Sequence, residues 1–206
     1  MMTRKILLIA SVSFLGWSIS HANITSTGPW TYGGGVYCYG SLDVANQSVS
    51  WTGSQNSSSG DMGVILNASS TTDPTLTIGN SINNTSSFAW TAYVVSVVMN
   101  QLFTINSASV TVPAGWTANI TGPTGPDING NYTGVIDYMG GPAVAINSAL
   151  DFGYVVTFNG SLSYSLTESV TAVPEPGTIS LLMAGGLLLG GWTIAKRRQT
   201  RVHVRA

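Results

Sequence analysis

Leu162-Ser163-Tyr164-Ser165-Leu166-Thr167-Glu168-Ser169 decides the fold class. A strand turns successive side chains to opposite faces, so Leu162, Tyr164 and Leu166 share one face and serine and threonine take the other. Thr75-Leu76-Thr77-Ile78 repeats the pattern. The longest apolar run is Phe88-Ala89-Trp90-Thr91-Ala92-Tyr93-Val94-Val95-Ser96-Val97-Val98-Met99. It is long enough for a helix, but its valines and aromatics favour a long central strand, bulged near Thr91 and Ala92.

Further strands are expected over 35–39, 48–52, 63–68, 102–105, 108–112, 117–121, 132–138, 143–146 and 153–158, with the two quoted patterns extending to 75–79 and 161–170. Turn residues separate them: 53–60, Asp73-Pro74, 80–86, Val112-Pro113-Ala114-Gly115, 122–130, Gly140-Gly141-Pro142 and Asn159-Gly160. Short strands at this spacing, with no helix-length amphipathic segment between them, indicate an all-β body, an antiparallel β-sandwich. The stretch 23–60 carries the weakest pattern and reads as a mobile edge, and 169–173 reads as a short linker.

Charge is distributed unevenly. All seven Lys and Arg, and both histidines, lie in the two ends; residues 22–195 contain none of the three. Six aspartates and Glu168 leave the stretch 23–172 at about −7. Such a body has no imidazole base, no amine for a Schiff base and no guanidinium clamp. It offers no basic surface to nucleic acid, and it lacks the residues for a His- or multi-Cys zinc site. The acids read as groups that keep a Ser/Thr-rich surface soluble. Cys38 is the single cysteine, so no internal disulfide forms; it reads as a small half-buried strand residue, with an intermolecular disulfide or an adduct as the alternative. No cofactor and no metal are expected.

Three constellations bear on chemistry. Asp127-Ile128-Asn129-Gly130-Asn131 spaces its oxygens as a calcium loop begins, but Tyr132 stands where glycine is needed, so the segment reads as a solvated turn. Trp30, Trp51, Trp90 and Trp116 could stack on sugar rings; Trp90 reads as core, whereas Trp30 and Trp116 lie near loops and are the candidate ligand-binding residues. Asp137 and Asp151 are conceivable as a glycosidase pair. The Asn-x-Ser/Thr sequons, among them Asn23, Asn46, Asn67, Asn119 and Asn159, follow from composition.

The two ends read as targeting segments. Residues 1–5 carry Arg4 and Lys5, 6–17 are apolar, and Ser20-His21-Ala22 offers small residues for cleavage after Ala22. Residues 1–22 therefore read as a signal peptide, for the Sec machinery and signal peptidase, ahead of an exported domain over 23–172. At the other end Val173-Pro174-Glu175-Pro176 precedes the uncharged run 177–195 and then Lys196-Arg197-Arg198. Nineteen residues at 1.5 Å each make a helix of roughly 28 Å, close to the hydrocarbon thickness of a bilayer. The basic end 196–206 stays cytoplasmic by the positive-inside rule. A permanent single-span anchor and a sorting signal cut by an intramembrane enzyme both fit.

This order of tripeptide, apolar span and Arg-rich end resembles the PEP-CTERM sorting domain of Gram-negative bacteria. The resemblance places Pro174, Glu175 and Pro176 on the sorting motif, 177–195 on one C-terminal transmembrane helix, and Lys196, Arg197 and Arg198 on the basic stop. It covers 173–206 and implies recognition by an exosortase, a membrane-embedded cysteine protease. The stretch 83–93 followed by a late strand also resembles a layout of PEP-CTERM surface proteins, which implies an immunoglobulin-like sandwich and no known activity. The function expected is that of an exported, non-catalytic surface or exopolysaccharide-matrix protein, held at the inner membrane during sorting with its body facing the periplasm. A carbohydrate-binding module at the envelope is the alternative, with an enzyme third.

Overall fold

The computed structural model describes residues 22–175 and Gly177. The leader up to His21, Pro176, the rest of the candidate span and the basic end lie outside the described residues. Among the described residues no helix is long and apolar enough to cross a membrane.

Strands numbered in chain order build two sheets. The first contains, from edge to edge, β1 (Ile24–Gly33), β4 (Ser59–Ala68), β11 (Ser163–Pro174), β6 (Trp90–Met99), β9 (Tyr132–Val144) and β8 (Thr117–Thr124). The second contains β2 (Val36–Asp43), β3 (Ser48–Gln55), β5 (Thr75–Asn84), β10 (Ala149–Phe158) and β7 (Phe103–Ile105). The apolar residue of each alternating pair faces the other sheet, giving one continuous core around Trp51, Trp90, Tyr93, Tyr138, Phe152 and Leu166. Each large side chain fully withdrawn from water contributes about 1.5–3 kcal/mol. The body is therefore an all-β, two-layer sandwich.

One neighbour pair departs from the antiparallel expectation: β3 and β5 run parallel, from Ser48 opposite Thr77 to Gln55 opposite Asn84. The cause is the path of the chain. After β3 it crosses to the first sheet as β4 and returns as β5, and two reversals restore the original direction. Parallel neighbours need such a long crossover, and here a strand of the opposite layer supplies it.

The expected long central strand is β6, with a register shift between Trp90 and Ala92 where it pairs with β9. Other segments differ from expectation, among them the turns expected over 80–86 and at Gly140-Gly141-Pro142, of which 80–84 lie in β5 and 140–142 in β9. Residues 24–33, read as a weak edge, form β1; Gly28 and Pro29 fall where the register shifts between Thr27 and Trp30, on an edge strand that tolerates a proline. Residues 108–112 form no strand but a 3-10 turn (Ser107–Ser109), its Ala108 N–H capped by Asn106, followed by a two-bond bridge from Thr111 to Gly153. The strand expected over 143–146 is the far end of β9. Residues 169–173 are no linker, because β11 stays paired with β4 through Thr171 and with β6 until Pro174 meets Trp90.

The turn from β5 to β6 is fixed by buried polar side chains. Asn84 Nδ2 donates to the carbonyls of Phe88 and Val144 at 2.9 and 3.0 Å, and its Oδ1 accepts from the N–H and hydroxyl of Ser86. Trp90 Nε1 donates to the Ser86 hydroxyl at 3.1 Å. Asn84-Thr85-Ser86 thus holds the start of β6 against the end of β9.

Candidate functional site

The centre of the sandwich holds an acid. The alternation that turns Tyr164 and Leu166 inward continues to Glu168, which is fully buried. The reading of every acid as a surface group therefore fails for Glu168. Its Oε1 accepts from the Tyr154 hydroxyl and, at 3.2 Å, from Asn80 Nδ2, both carried by the opposite sheet. Three buried polar atoms in the core have no hydrogen-bond partner among the described residues: Glu168 Oε2, Asn80 Oδ1 and Trp51 Nε1. Burial pushes the Glu168 carboxyl from 4.5 up to about 7, against the two hydrogen bonds that favour its charge. The stretch 22–195 contains no cation to pair with it. Burial, and secondarily the charge of Glu168, raises the hydroxyls of Tyr93, Tyr154 and Tyr138 as well.

Cys38 lies on the inner face of β2, and its thiol is pushed up to about 11, first by burial and then by Glu168. It is the small strand residue expected, buried rather than half-buried.

The four tryptophans among the described residues are mostly structural. Trp51 and Trp90 are core. Trp116, 8% exposed, donates from Nε1 to the Pro142 carbonyl at 3.2 Å and lies over Gly141, where an added Cβ would stand 1.8 Å from the indole. Its ring lines a cleft of about 360 Å³ but presents almost no face to solvent, so it is not the sugar platform expected of it. Trp30 is half-buried, edge-on to Trp51 at 4.7 Å between ring centres, and covers Gly40 of β2. It buttresses β2 from inside.

Asp137 and Asp151 lie on opposite outer faces, Asp137 on β9 between inward Ile136 and Tyr138, Asp151 on β10 between inward Leu150 and Phe152. A whole sandwich separates them, so they form no glycosidase pair. Asp127 Oδ1 accepts the backbone N–H groups of Asn129 and Asn131, both at 2.8 Å. These bonds, the one from Asn131 foremost, hold its carboxyl below the usual range. The carboxylate closes the turn.

Of the residues expected to form a sorting motif, Pro174 ends β11, and the Glu175 N–H donates to the Ala89 carbonyl at 3.3 Å. The Thr91 hydroxyl donates to the Pro174 carbonyl at 3.3 Å. Pro176 and the basic residues Lys196, Arg197 and Arg198 lie outside the described residues.

An outer face remains that no single motif marks. The chain has eight tyrosines. Tyr93, Tyr138, Tyr154 and Tyr164 are buried and Tyr132 is half-buried, whereas Tyr32, Tyr37 and Tyr39 are 57, 58 and 71% exposed. All three flank the β1–β2 turn, which carries the chain from the first sheet to the second through Gly34 and Gly35, both at positive φ, as a tight turn requires. Tyr37 and Tyr39 point outward from β2 while Val36 and Cys38 point in. Strand register then sets residues in rows across the second sheet: Tyr39 faces Thr52, Thr52 faces Ser81, and Ser81 faces Asp151. The adjoining row is Ser41, Ser50, Gly79 and Gly153. Around Gly79 runs a shallow trough of about 330 Å³, bordered by Ser50, Thr52, Thr77, Ser81 and Asp151. The period-2 pattern of 36–39 was the sequence signal for this face; the rows were hidden because they depend on the parallel β3–β5 pairing.

No protein-family model, curated protein or solved structure matches the chain.

Proposed function

We propose that the chain is an exported, non-catalytic component of the cell surface or exopolysaccharide matrix, sorted by its C-terminal tail. The observation that carries this reading is the order Val173-Pro174-Glu175-Pro176, nineteen uncharged residues, then Lys196-Arg197-Arg198. In this reading 177–195 spans the inner membrane, an exosortase engages Pro174, Glu175 and Pro176, and the body, an immunoglobulin-like sandwich, faces the periplasm before release. The Sec machinery and signal peptidase handle 1–22. Two features support it. A body without Lys, Arg or His lacks the usual bases and clamps of enzymes, and cations confined to the ends are the arrangement that a stop-transfer signal needs. The last strand also runs to Pro174, so folded structure reaches the motif without a linker. Mass spectrometry of exported protein tests the reading. A C-terminus at or near 174–176 is the expected result, and material intact through Ala206 refutes processing and leaves a plain anchor.

A further inference from the structure

We propose that the outer face of the β2–β3–β5–β10 sheet binds a glycan, a polysaccharide of neutral or amino-bearing sugars, with Tyr37 and Tyr39 as the stacking residues and Asp151 as a hydrogen-bonding anchor. The inference does not depend on the fate of the tail.

Four observations carry it. First, the exposed tyrosines are segregated: all three lie within eight residues around the β1–β2 turn, and Tyr37 and Tyr39 share the outer face of β2 two residues apart, roughly 7 Å along the strand. A phenol ring offers a rigid apolar face with a polar tip, which suits the C–H face and hydroxyl rim of a sugar. Second, the rows continue from the rings into polar groups. Tyr39, Thr52, Ser81 and Asp151 span three strand spacings, about 14 Å, the width of a short oligosaccharide. The hydroxyls donate and accept, while the carboxylate accepts two hydroxyl or ammonium protons. Third, Gly79 lines the trough without a side chain, and the nearest atom to an added Cβ there stands 3.9 Å away, so a bulky ring can approach the backbone. Fourth, the charge selects the ligand: the stretch 22–195 contains no cation, so a polyanion would meet Asp151 with nothing to offset it. Neutral rings are accepted and amino sugars favoured.

The face is also stiff. Trp30 packs under Gly40 and against Trp51, so the strand carrying the tyrosines is supported from within. Preorganised rings lose little freedom on binding.

The test uses full-length protein in detergent and isothermal titration with cellohexaose, chitosan hexamer and an alginate oligosaccharide, alongside light scattering. Expected is binding of cellohexaose and chitosan hexamer, tighter for the latter, and none of alginate. The double substitution Tyr37→Ala/Tyr39→Ala should weaken binding at least tenfold. Asp151→Asn should weaken chitosan binding several-fold and cellohexaose less. Asp137→Asn, on the opposite face, should change nothing, and circular dichroism should be unaltered throughout. Absence of binding to both favoured probes, preference for alginate, or equal loss in Asp137→Asn overturns the proposal. So does a result in which removing the tyrosines changes only the oligomeric state, which would make β2 a pairing edge between copies.

Discussion

Replacing Glu168 with glutamine should remove a pH dependence that the native protein carries between pH 4.5 and 8. The folded carboxyl is raised from 4.5 to about 7 because burial disfavours its charge. The folded state therefore holds this proton more tightly than the unfolded chain does. The stabilisation is complete below about pH 4.5 and is lost as pH rises through about 7. At 1.36 kcal/mol per pH unit, the gap is worth roughly 3 kcal/mol, a large share of the 5–15 kcal/mol by which domains are usually stable. Urea unfolding followed by the fluorescence of buried Trp51 and Trp90, at constant ionic strength from pH 4.5 to 8.5, measures it.

The window is clean for a compositional reason: no histidine lies between 22 and 195, and the Cys38 thiol is pushed up to about 11. At the acid end Asp43 and Asp127 act in the opposite sense. Their hydrogen bonds, with Asn46 and Asn131 first, lower both carboxyls, so their support exists above the unfolded value and fades as pH falls through the folded one. Native protein should therefore be most stable near pH 5. Glu168→Gln keeps an acceptor for Tyr154 and Asn80, retains the acid limb and becomes flat above pH 5. A native curve already flat from pH 5 to 8, or a variant with the native slope, refutes the assignment of a buried, proton-holding acid.

Three further outcomes follow from packing and burial. Gly40→Ala would set a Cβ 1.9 Å from the Trp30 ring, so it should cost about 1–3 kcal/mol in urea unfolding and raise acrylamide quenching of tryptophan fluorescence as Trp30 is displaced. Asn84→Ala strips partners from the Phe88 and Val144 carbonyls and from Ser86, and should cost about 3 kcal/mol in the same assay. With its thiol raised to about 11, Cys38 is about 0.1% thiolate at pH 8, so a disulfide reagent should label it only as fast as the protein opens and within seconds in denaturant.

The layers of this fold were legible because period-2 patterning is a local property, and Leu76, Ile78, Tyr164 and Leu166 each declare an inward face within a few residues. Direction and continuity are not local. The parallel β3–β5 pair follows from β4 crossing to the other sheet, and β1 keeps its ladder through Gly28 and Pro29 only because an edge strand can carry a bulge. The same distinction separates the candidate sites. Trp30 and Trp116 attracted attention as tryptophans near turn residues, but each lies over a glycine, Gly40 and Gly141, so the missing side chain is what the ring replaces. Tyr37 and Tyr39 stand beside Val36 and Cys38, and only their alternation tells outside from inside. Glu168 shows the opposite conflict. Its residue type argued for the surface and its position argued for the core, and position prevailed. With Tyr164, Leu166 and Val170 committed inward on the same strand, exposing Glu168 would have required a one-residue slip of β11, turning all three into solvent. Their burial outweighs the desolvation of one acid, because that acid can keep its proton.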